Sequence, residues 1–67
     1  MTIQLNGRAF DLPRDPVPLP ELLRELGFEG RPVLVEQNGV ALHSSEAGEA
    51  LVRAGDVIEM VQLVAGG

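Results

Sequence analysis

The sequence finishes Ala65-Gly66-Gly67, which sets a terminal carboxylate on a backbone with almost no side chain. Glycine has no Cβ, so such a segment can run extended through a narrow channel and bring its carboxylate to a reacting centre. A free carboxylate is a poor acylating group. Joined to AMP it becomes a mixed anhydride that sulfur, oxygen or nitrogen nucleophiles attack, and side chains on the last two residues would obstruct them. Gly67 is therefore the expected point of modification, with Ala65 and Gly66 as its tail. On this reading the carboxylate is a substrate and the rest of the chain is its handle. The competing reading is a frayed chain end, which is also often glycine-rich.

Other chemistry is sparse. His43 is the only histidine and lies beside Ser44 and Ser45, but the members of a triad must converge in space, so adjacency makes His43 a surface loop residue. Glu46 and Glu49 can share a helical face, yet a paired-carboxylate hydrolase needs a sugar cleft that a chain of this size cannot build. Gly27, Gly30, Gly48 and Gly55 fit neither of the glycine-rich phosphate-loop patterns. With no cysteine there is no disulfide, zinc–thiolate site or thiol nucleophile. The expectation is a chain without catalytic residues, without metal ligands and with no bound cofactor.

Sixty-seven residues suffice for one small domain. A domain this short buries only about 60% of the surface of its unfolded chain, and its core supplies about 3–5 kcal/mol. Small binding modules and carriers suit that size better than enzymes do. Hydrophobic residues make up 45% of the chain, and Phe10 and Phe28 are its only aromatics, so Leu, Val and Ile must build the core. The net charge is −5, and the five basic residues are scattered arginines. No basic patch tracks a phosphate backbone, so nucleic acid is not an expected partner. No apolar run approaches the ~18 residues of a membrane span and no leader is visible, so a cytoplasmic location is expected.

These features must be positioned by a few short elements. TIQLN alternates, with Ile3 and Leu5 on one face, and Asn6-Gly7 is a tight-turn dipeptide leading into RAFDL, so the first two strands form a hairpin. PRDPVPLP, with four prolines, is neither a central strand nor a helix interior. Pro20 can open a helix over PELLRELGF, with Glu21 in its first turn, Leu22, Leu23 and Leu26 as its apolar stripe and Gly27 as its stop. PVLVEQ reads as a buried strand, Asn38-Gly39 as a turn and Val40–Leu42 as a short return strand. Within SSEAGEALVRAGD, Ser44 or Ser45 is expected to cap one turn of helix with Leu51 and Val52 facing inward. Gly55-Asp56 launches VIEMVQLV, with Ile58 and Met60 toward the core and Val57, Val61 and Leu63 on the opposite face. One helix covers one face of the sheet, so those three residues are the expected partner-binding patch. The fold class is α+β.

ELLRELGF, PVLVEQNG and LVRAGDVIEMVQLVAGG, spread over most of the chain, resemble the ThiS family of thiamine-pathway sulfur carriers. The most specific parts are Gly55-Asp56 with the apolar strand behind it and the terminal Gly66-Gly67. The resemblance implies a β-grasp, ubiquitin-like fold: a mixed sheet with one main helix on one face, a single domain over 1–67, and 65–67 as a flexible C-terminal tail. It implies that an E1-like adenylating enzyme (ThiF-like), using ATP and magnesium, adenylates Gly67. A cysteine desulfurase or rhodanese then supplies sulfur to form a thiocarboxylate, and a thiazole synthase (ThiG-like) takes up that sulfur. The catalytic groups belong to those partners. The stretches LHSSEAGEALV and PRDPVPLP depart from the family pattern, away from the tail. The molybdopterin-synthase small subunit, a tRNA-thiolation carrier and a ubiquitin-like protein modifier use the same device and stand as alternatives.

Overall fold

The computed structural model describes residues 1–63; residues 64–67 lie outside the described part. The chain runs β1 (Thr2–Leu5), β2 (Arg8–Asp11), β3 (Val17–Pro18), α1 (Leu19–Glu25), β4 (Val33–Gln37), β5 (Val40–Leu42), α2 (Ser44–Glu49), β6 (Leu51–Val52) and β7 (Val57–Gln62). Five strands form one sheet in the order β2-β1-β7-β4-β5, and β3 and β6 form a separate two-stranded ribbon. β7 runs parallel to β1 and antiparallel to β4, so the sheet is mixed.

Local chemistry accounts for these elements. Asn6 and Gly7 have φ of 50° and 81°, and Asn38 and Gly39 have 53° and 83°. Positive φ at both central positions matches the twist of a two-residue hairpin, and asparagine and glycine adopt it at least cost. α1 opens with Pro20 in its first turn, where the missing N–H has no helical partner to lose. It stops at Gly27, φ 85°. There the Phe28 N–H donates to the Leu23 carbonyl at 2.8 Å and the Gly27 N–H to the Arg24 carbonyl at 3.1 Å, a closing pair that takes up two orphan carbonyls of the last turn.

The core is Ile3, Leu12, Val17, Leu19, Leu22, Val35, Val52, Ile58 and Met60, with Phe10, Leu23, Leu26, Phe28 and Leu42 packed around it. α1 covers one face of the sheet, its Leu19 and Leu22 sharing the core with Ile3, Val35, Ile58 and Met60, and α2 packs against α1. The opposite face is open, and this explains the first of several departures from the sequence reading. PVLVEQ is buried only at Val35; Leu34 points outward, because a sheet covered on one side buries alternate residues. Leu51 and Val52 lie in β6 rather than on a helix, so Val52 is buried and Leu51 exposed. Neither serine caps α2. That position is His43, whose N–H donates to Glu46 Oε1 at 2.8 Å, while Ser44 is the first helical residue. The proline-rich stretch contributes β3, a strand of two residues at the margin of the body.

Candidate functional site

β7 carries the expected patch and leads to the tail. It is the central strand, and several contacts outside the regular ladder fix it. The Val57 N–H donates to Asn38 Oδ1 and the Met60 N–H to Asn6 Oδ1, both at 2.8 Å. Both asparagines occupy the positive-φ turns. At Asn6 the backbone N–H donates to the Ile58 carbonyl at 2.9 Å while the side-chain carbonyl accepts from Met60, so this one residue carries the bonding of β7 into the turn. Beyond β7, the Leu63 N–H donates to the Pro32 carbonyl at 2.9 Å, so the chain is held in place up to the residue before 64.

Asp56 secures the start of β7. Its carboxylate accepts from the Arg53 N–H at 2.9 Å, from Gln37 Nε2 at 3.0 Å and from Asn38 Nδ2 at 3.1 Å. Partial burial pushes the Asp56 carboxyl up, but those donors, with the positive charge of Arg53, outweigh it and hold the carboxyl below its ordinary value. Gln37 also donates to the Leu51 carbonyl, linking the sheet to the small ribbon.

On the open face Val57, Val61 and Leu63 are 44%, 59% and 46% exposed, and Ile58 and Met60 are buried on the other side. The division of β7 into two faces is thus as the alternation indicates. The three outward residues do not form one cluster. Val61 is the direct cross-strand partner of Leu34, itself 54% exposed, and Leu63 follows on the same face, so these three make an apolar strip at the tail end of β7. Val57 pairs with Gln4 of β1 at the other end. Between them stand Glu59 and its cross-strand partner Glu36, both exposed. Leu34, Glu36 and Glu59 are the members of this face that the sequence reading missed. Strict alternation along PVLVEQ, applied to a sheet with one covered face, would have found the first two. Gly67, Gly66 and Ala65 lie outside the described residues.

The other candidate groups are not brought together. His43, Glu46 and Glu49 are exposed at α2, with Glu46 engaged in capping. Among the described residues there is no pocket and no cluster of three metal-ligating side chains. No helix among them is long and apolar enough to cross a membrane.

A mixed sheet with its last strand at the centre, one principal helix across one face and the other face bare is the β-grasp architecture of ubiquitin-like proteins. The ThiS family model matches residues 3–67, and the chain belongs to the ThiS family, a family of small sulfur carriers. The crystal structure of the thiamine biosynthesis protein ThiS from Geobacter metallireducens is similar over the whole of both chains, with a TM-score of 0.84 and 28% identity. The NMR solution structure of a thiamine biosynthesis protein from the same organism gives a TM-score of 0.81 and 28% identity, over 100% of this chain and 88% of that one. No curated protein matches the chain.

Proposed function

We propose that the chain is the sulfur carrier of thiazole formation in thiamine biosynthesis, and that the Gly67 carboxylate is the group the partner enzymes act on. An E1-like adenylating enzyme joins that carboxylate to AMP, using ATP and magnesium, and pyrophosphate leaves. The outer sulfur of a persulfide on a cysteine desulfurase or rhodanese attacks the acyl adenylate and displaces AMP, giving an acyl disulfide. A second thiol then attacks the donor's sulfur, forming a disulfide and releasing the thiocarboxylate, which passes its sulfur to a thiazole synthase. The chain contributes no catalytic group to these steps. It offers a surface to dock on and a carboxylate to react.

The observation that carries this reading is that the family match runs on through residue 67, so it includes Ala65-Gly66-Gly67 as well as the folded body. The arrangement of β7 supports it. The strip Leu34, Val61 and Leu63 adjoins the point where the described chain meets the tail. Four further residues span at most ~14 Å fully extended, so an enzyme gripping that strip must hold its reacting centre within that reach of Leu63.

The test is to incubate the chain with an E1-like adenylating enzyme, ATP, magnesium, a persulfide-bearing sulfur donor and a thiol reductant, and to weigh the intact protein. The expected result is the gain in mass of sulfur replacing oxygen, absent from a variant lacking Gly67 that melts like the parent. A chain that stays unmodified overturns the proposal. Recovery of the chain joined through Gly67 to lysines of other proteins would make it a modifier instead.

A further inference from the structure

We propose that the open face is read by a protein surface bearing an arginine or lysine beside an apolar contact, with Glu36 and Glu59 as the residues that recognise the cation. This rests on the carrier reading and adds to it the chemistry that the activating enzyme must present.

Glu36 and Glu59 are directly opposed across β4 and β7 and leave the same face as Leu34, Val61 and Leu63. Directly opposed residues of an antiparallel pair have Cβ atoms about 4.5–5.5 Å apart, and like charges so placed destabilise a sheet. The free chain does not relieve this. The ion pairs among the described residues are Arg14–Glu21 and Arg24–Glu29, and both lie elsewhere. The centre of the sheet thus holds two uncompensated negative charges next to an exposed apolar strip.

An occupant of this face must cover the strip and offset both charges. A second copy of this chain fails the second condition, since face-to-face pairing would set four carboxylates together on two bodies of net charge −5 each. A cationic side chain from another protein meets both conditions. Its aliphatic stem lies along Leu34 and Val61, and a planar guanidinium can donate to both carboxylates. Such complementarity governs partner choice and association rate more than raw affinity. The pair therefore acts as a specificity element that the isolated fold would be better without.

The experiment compares the parent chain with E36Q/E59Q and E59K. Three properties are measured: melting temperature, affinity for the E1-like adenylating enzyme at low and high salt, and mass in solution by light scattering. Binding is measured well below the melting temperature of each variant. The double variant should melt higher than the parent, bind the enzyme about tenfold more weakly at low salt, and lose most of the salt dependence. E59K replaces the repulsion with a cross-strand ion pair, so it should also melt higher and bind more weakly still. Unchanged or tighter binding by either variant, salt-independent binding of the parent, or a fall in melting temperature when the pair is removed overturns the proposal. So does self-association of the parent through this face. If the parent acquires sulfur normally while the variants bind as it does, this inference fails and the carrier reading stands. If the parent neither binds the enzyme nor acquires sulfur, both fall.

Discussion

Replacing Asp56 tests whether the start of β7 is held electrostatically. In Asp56→Ala the Arg53 N–H, Gln37 Nε2 and Asn38 Nδ2 all lose their acceptor. Hydrogen bonds to a charged group contribute about 1.5–3 kcal/mol each when buried. Two of these three are exposed and one is part-buried, so water replaces much of the loss and the sum is discounted to ~2 kcal/mol. That is a large share of the about 3–5 kcal/mol a core of this size supplies. It corresponds to a fall in Tm of about 8–16 °C for a domain of this length. The pH dependence is sharper evidence. The folded carboxyl titrates below its ordinary value, so it contributes stability that is fully present above the unfolded value of about 3.9 and is lost as pH falls from there through the folded one. Urea unfolding of the parent and of Asp56→Asn, followed by circular dichroism from pH 7 to pH 2.5, isolates this group, because the other carboxylates are common to both. The gap between the two should be constant near neutrality and should shrink below about pH 4. A gap that persists undiminished at the acid end refutes the argument, as does an Asp56→Ala variant that melts with the parent.

Asn6→Ala should destabilise the fold by about 2–3 kcal/mol, because alanine is strained at positive φ and the Met60 N–H loses its acceptor; thermal melts against an Asn6→Gly variant, which removes only the second effect's acceptor, separate the two. Ile58→Ala, at a fully buried position of the central strand, should cost about 2–5 kcal/mol, enough to leave much of the protein unfolded at 25 °C by far-UV circular dichroism. Val61→Asp alters an exposed side chain, so its Tm should stay within a few degrees of the parent, while the concentration of carrier giving half-maximal activation rises about tenfold; activation at the parental concentration would remove Val61 from the docking face.

Elements governed by neighbouring residues were legible from the sequence. Asn6-Gly7 and Asn38-Gly39 announce turns because the required φ is a property of those residues alone, and Pro20 and Gly27 bound α1 for similarly local reasons. The two faces of β7 follow from a period of two. What the sequence could not display is what those same asparagines do at a distance: Asn6 completes the bonding of a strand 54 positions away. β3 and β6 escaped because two-residue strands carry no periodicity, and each exists only because the other lies beside it. The open apolar face was partly legible. Val61 and Leu63 were visible, and Glu59, which separates them from Val57, follows from the same alternation, whereas their union with Leu34 depends on the register of β4 against β7, which no local pattern encodes.

The position of β7 also bears on how the protein is made. The hairpins β1-β2 and β4-β5 meet only through this strand, yet it is the last of the seven to leave the ribosome. A lone two-stranded hairpin is at best marginal in water, so both halves must wait, open to proteases, until Val57–Gln62 emerge and zip them together. A polypeptide that stops before Val57 therefore has no seam to join its two hairpins. The topology thus makes the fold of the whole sheet wait on its last strand.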